Sequence, residues 1–73
     1  MEHETHEEES LLNKARRLYR NRPAYVRVGE VANHVGRSTE WLRLFGNGKI
    51  ENPGLVSIEK LISYVEERTQ KGA

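Results

Sequence analysis

This 73-residue sequence predicts an all-α fold, a compact bundle of four or five helices, and three observations carry that expectation. Apolar residues recur at helical spacing toward both ends of the chain. Glycine and proline fall between those segments, at Pro23, Gly36, Gly46, Gly48, Pro53 and Gly54, where they stop helices. In the middle, residues 29–54 (GEVANHVGRSTEWLRLFGNGKIENPG) place small or apolar side chains at Val31, Ala32, Val35, Gly36, Leu42 and Phe45. That is the spacing two short helices need to lock together across a tight turn.

Residues 1–9 (MEHETHEEE) carry no core-forming pattern and read as a flexible acidic arm. Residues 10–70 read as one domain and residues 71–73 as a short tail. Ser10 suits a helix N-cap, and Leu11, Leu12, Ala15, Leu18 and Tyr19 then form one stripe while Lys14, Arg16, Arg17 and Arg20 take the other faces. This first helix should end near Asn21, because Pro23 pushes Arg22 away from helical geometry. Residues 24–28 read as extended or irregular and are expected to return Tyr25 and Val28 to the core.

The second helix should start at Val28 or Gly29 and reach His34 or Val35. Ala32 must be small where the next helix crosses, and Gly36 stands where a left-handed backbone is accessible to glycine at little cost. Ser38 then caps a third helix, with Glu40 at its positive end. Leu42 and Phe45 turn inward before the Gly46-Asn47-Gly48 stop. After the Asn52-Pro53-Gly54 turn, a last helix is expected from about residue 56 or 57 to 68, with Leu55, Ile58, Leu61, Ile62 and Val65 as its apolar stripe.

Composition narrows the function. The net charge of +1 conceals an asymmetry: five of the eleven acidic residues lie in residues 2–9, so residues 10–73 hold twelve Lys and Arg against six Glu, a balance of +6. A basic small domain attracts polyanions and gains free energy by releasing their counterions, although an ordinary solvated surface has the same composition. There is no cysteine, hence no disulfide framework or thiolate metal site. The apolar runs fall far short of the roughly 20 residues that cross a bilayer. No glycine-rich phosphate loop and no nucleophile paired with a base is present, so an enzyme, a cofactor or a small-molecule substrate is not expected. His3 and His6 sit in the acidic arm and His34 stands alone, so no metal site is implied.

The paired short helices, the NGK at residues 47–49, Pro53 a few residues later and the amphipathic helix directly after it closely resemble the Cro and repressor family of lambdoid phages and its xenobiotic-response-element-type cellular relatives. The resemblance spans residues 28–65. It implies a lambda repressor-like helix-turn-helix domain whose third helix enters the major groove, usually as a homodimer on a palindromic operator. It thus implies a cytoplasmic, nucleoid-associated transcriptional regulator. Two departures stand out: Arg37 follows the turn glycine where the family commonly has an apolar residue, and residues 23–28 make a longer link than usual.

On that resemblance Thr39, Glu40, Arg43 and Leu44 are base-reading candidates. Arg43 suits a guanine edge or a phosphate; Glu40 suits a cytosine amine or simply the helix dipole; Thr39 and Leu44 suit a thymine methyl, and Leu44 equally a hydrophobic neighbour. Arg27, Arg37, Ser38, Asn47, Lys49 and Asn52 are the phosphate-contact candidates. Arg16, Arg17, Arg20 and Arg22 read first as a solvated face. Trp41 either tucks partly into the groove between the third and last helices or stands exposed to a partner protein or the sugar edge of DNA, and Leu61, Tyr64 and Val65 are candidates for a dimer surface, with a core-rim tyrosine as the alternative at Tyr64. The rival class is a protein-interaction module, such as an antirepressor or adaptor, presenting the same helical surface. A DNA-binding antitoxin or architectural factor would share both fold and contacts.

Overall fold

The computed structural model describes residues 9–72. Among them the chain forms four helices and no strand: α1 (Leu11–Arg20), α2 (Val28–Val35), α3 (Thr39–Gly46) and α4 (Leu55–Gly72). Residues 1–8 of the arm read at residues 1–9, with His3 and His6, lie outside the described residues.

Local chemistry sets the boundaries. Ser10 Oγ accepts from the Asn13 amide at 3.1 Å and opens α1; Ser38 Oγ accepts from the Trp41 amide at 3.0 Å and opens α3. Each satisfies a donor that the first helical turn leaves unpaired. At the end of α2, Gly36 takes φ 84° and the amides of Gly36 and Arg37 close on the Ala32 carbonyl at 2.8 and 3.0 Å. The end of α3 closes in the same way, with Gly48 at φ 77° and the Lys49 amide donating to the Leu44 carbonyl at 2.9 Å. α4 begins at Leu55 and runs to Gly72, starting before and ending beyond the span of 56 or 57 to 68 expected for it. No helix breaker stands between Val65 and Gly72 to stop it.

α1 and α2 both rest on α4, while α3 packs on α1 and α2 rather than on α4. Ala15, Tyr19, Val31, Ala32, Val35, Leu42, Phe45, Ile58, Leu61, Ile62 and Val65 close the core. The link between α1 and α2 contributes Val26, not Tyr25: a turn in which the Val26 amide donates to the Pro23 carbonyl at 2.9 Å buries Val26 and leaves Tyr25 exposed. Val28 is half-buried against the core, as the spacing predicts. Leu55, read as part of the last stripe, stands exposed at the start of α4 together with Val56.

A polar clasp joins α2 to the far half of α4. Arg68 Nε donates to Glu30 Oε2 at 2.6 Å, and the Tyr64 hydroxyl donates to the same oxygen at 2.8 Å. Arg68 Nη2 also donates to the Tyr25 carbonyl at 3.3 Å, and the Tyr64 ring stacks on His34 with centroids 4.4 Å apart. Among the described residues no buried side-chain nitrogen or oxygen lacks a partner. No helix among them is long and apolar enough to cross a membrane.

Candidate nucleic-acid interface

α3 is eight residues long, and its burial pattern divides it cleanly. Leu42 and Phe45 are fully buried. Trp41 is half-buried, stacked nearly parallel on Phe45 of its own helix with centroids 5.4 Å apart. Thr39, Glu40, Arg43 and Asn47 are exposed, and Leu44 lies half-buried at the rim. One face of α3 is therefore committed to the core and the opposite face carries polar and charged groups to solvent.

Two of those groups are bound to each other. Arg43 Nε donates to Glu40 Oε1 at 3.2 Å, and Arg43 Nη2 pairs with Glu40 Oε2. The hydrogen bond from Arg43 holds the Glu40 carboxyl below its usual range, and the Glu40 carboxylate raises Arg43 in turn. The pair is locally neutral, so α3 by itself offers little net positive potential.

Positive charge comes instead from the flanks. Among the described residues the side chains of Arg20, Arg27 and Lys49 make no hydrogen bond or ion pair. A groove of about 420 Å³ is lined by Tyr19, Arg20, Arg22, Val28, Arg43, Gly46 and Asn47. A second hollow shares Arg22 and Val28 with it and reaches Arg27. The ends of α1 and α3 and the start of α2 thus bring four arginines and Asn47 to adjoining hollows. Gly46 permits the approach: a Cβ there would stand 3.1 and 3.2 Å from ring carbons of Tyr19.

Arg20 and Arg22, which charge spacing alone presents as a solvated face, line this groove. Arg20 is 23 positions from Arg43, and only the packing of α1 on α3 makes them neighbours. The available signal was Gly46, a glycine in the last turn of a helix, which often marks close approach of another element.

The other arginines are structural ties. Arg16 Nε donates to the Phe45 carbonyl at 3.1 Å, a second donor there beside the Gly48 amide, and so ties α1 to the end of α3. Arg22 donates to the carbonyls of Val26 and Tyr19, both at 2.9 Å, and lies over the Tyr19 ring. Arg17 pairs with Glu9 at 2.8 Å. Arg37, expected at a phosphate, is exposed but spends two of its five donors on the fold: it donates to Ser57 Oγ at 3.2 Å and the Pro53 carbonyl at 3.3 Å, and it covers the Trp41 ring at 4.8 Å. Ser38 accepts within its cap and keeps its own O–H for donation. Asn52 is exposed in the loop after α3.

Leu61, Tyr64 and Val65, the dimer-surface candidates, face inward or into the clasp. Leu61 and Val65 are 0% and 1% exposed within this chain's own core, and Tyr64 is engaged in the clasp. The broad stripe on α4 is consumed by α1 and α2, which the stripe alone does not reveal. Among the described residues no three His, Cys, Asp or Glu are grouped as a metal site requires. No family model, curated protein or solved structure matches this chain.

Proposed function

We propose that this protein is a sequence-specific double-stranded DNA-binding transcriptional regulator of prokaryotic or phage type. In this reading α2, the turn at Gly36 and α3 form a helix-turn-helix of the lambda repressor-like kind, and α3 enters the major groove. The observation that carries the reading is the division of α3: Leu42 and Phe45 anchor it while Thr39, Glu40, Arg43 and Asn47 face outward between the unpaired cations Arg20, Arg27 and Lys49. Phosphate contacts from the flanks would fix register, and the outward groups of α3 would meet base edges. Arg20 joins Arg27, Arg37, Ser38, Asn47, Lys49 and Asn52 as a phosphate-contact candidate, with two of the Arg37 donors already held by the fold. The regulator acts in the cytoplasm on nucleoid DNA, as a homodimer on a palindromic operator, through a surface other than Leu61 and Val65.

A selection from random duplexes with the purified chain, followed by titration of the enriched sequence at several salt concentrations, tests this. The expected result is a palindrome with half-sites about one helical turn apart. No enrichment, with binding lost by about physiological salt, would leave only generic attraction to polyanions. A second reading, a protein-interaction module, is favoured by the self-neutralised Glu40 and Arg43 pair and by Leu55 and Val56, which are 57% and 64% exposed. It predicts the second outcome.

A further inference from the structure

The outward face of α3 carries a single acid, Glu40, and its geometry toward Arg43 is specific. Arg43 offers Nε–H and one Nη2–H side-on to the two carboxylate oxygens. A guanidinium has five N–H donors in a fixed plane, so this pairing leaves both protons of Nη1 and the second proton of Nη2. One proton from each Nη forms the end-on fork, whose spacing matches the O6 and N7 acceptors of guanine in the major groove. Both side chains remain largely exposed, at 60% for Arg43 and 64% for Glu40, so the fork is open to solvent.

We infer that Glu40 is a positioning residue for guanine recognition: it holds the Arg43 guanidinium side-on so that the end-on fork is presented to a base edge, and it does not itself read a cytosine. The inference rests on the DNA-binding reading. Three physical points support it. An exposed i, i+3 ion pair contributes little to stability, so the fold does not need it. A guanidinium already held in one plane loses less freedom on binding than a free arginine. A carboxylate beside Arg43 also repels the sugar-phosphate backbone, which keeps the guanidinium from settling on a phosphate.

The test runs the full chain, Glu40→Gln and Arg43→Lys through the same random-duplex selection. The duplex enriched by the unsubstituted chain is then titrated with 7-deazaguanine, which lacks the N7 acceptor, at each conserved guanine of the site. For the unsubstituted chain, one such replacement should weaken binding by about tenfold. Glu40→Gln should lose most of that penalty, bind unrelated duplexes more tightly and steepen the salt slope by about one, because the released Arg43 takes a phosphate. Arg43→Lys keeps the charge without the fork and should lose the guanine penalty. Unchanged helical content and melting temperature in both variants would show that neither effect comes from misfolding. If Glu40→Gln keeps the full 7-deazaguanine penalty, or no replacement weakens the unsubstituted chain, the inference fails while the DNA-binding reading stands. If the unsubstituted chain enriches no sequence, both fail.

Discussion

Two glutamate–arginine pairs in this small domain use the same chemistry for opposite ends. Glu30 and Arg68 lie 38 positions apart, are each about two-thirds covered, and share their bonds with Tyr64 and the Tyr25 carbonyl, so they fasten α2 and the α1–α2 link to α4. Glu40 and Arg43 lie three positions apart on one helix, exposed, with only each other as partners. The first pair constrains three segments of chain, and its loss releases all of them. The second constrains only two side chains and leaves their outer donors free for a ligand. Coupling across the sequence, more than the ion pair itself, separates the pair that ties the fold from the pair proposed for recognition.

The largest expected effect removes what supports α3 beneath its polar face. Phe45 is fully buried, stacked under Trp41 and covered by Arg16, so Phe45→Ala should cost about 3–5 kcal/mol. Chemical denaturation would measure it, and a loss below that of an ordinary surface substitution would mean that α3 is held some other way. Next in size is Gly36→Ala. A Cβ there meets no neighbour, but φ 84° is left-handed, so backbone strain alone should cost about 1–2 kcal/mol and loosen the α2–α3 turn.

The comparison is sharpened by pH. Hydrogen bonds from Arg68 and Tyr64 lower the Glu30 carboxyl from 4.5 to about 2. Folding therefore favours the charged form: the clasp contributes fully above pH about 4.5, and its contribution is lost as pH falls toward about 2. In melting curves taken from pH 7 downward, Glu30→Gln should melt lower than the unsubstituted chain at neutral pH, and the gap should close in that acid window. Glu40→Gln should leave the neutral-pH melting temperature unchanged. A Glu40 effect as large as that of Glu30 would abolish the distinction drawn between the two pairs.

The smallest effect falls on binding alone. Lys49→Ala should leave stability unchanged, weaken binding to all duplexes alike and reduce the salt slope by about one unit. Sequence-dependent losses in filter or fluorescence titrations would move Lys49 among the base-reading groups.

The helices were legible because their signals are local. Ser10 and Ser38 as caps, Gly36 as a left-handed stop, the Gly46-Asn47-Gly48 stop, and the inward pair Leu42 and Phe45 all depend on residues a few positions apart. Legibility ended where one segment had to choose among partners. Tyr25 and Val26 are both apolar enough for the core, and only the turn from Pro23 decides that Val26 enters it. Arg37 follows a turn glycine, where the family resemblance led one to expect an apolar side chain. The Trp41 ring, the Pro53 carbonyl and the Ser57 hydroxyl accommodate its guanidinium instead, and none of them adjoins it in sequence.

By itself, the sequence determined the all-helical class, the order and caps of the helices, and which residues of α3 turn outward, because helical periodicity and capping act within one or two turns. Tertiary structure alone decided that α4 spends its apolar stripe inside the chain, that Arg20 reaches the groove beside Arg43, and that Glu30 clasps Arg68. Those outcomes depend on how whole helices pack against one another, and a side chain's availability is settled only when every neighbouring surface has found its partner.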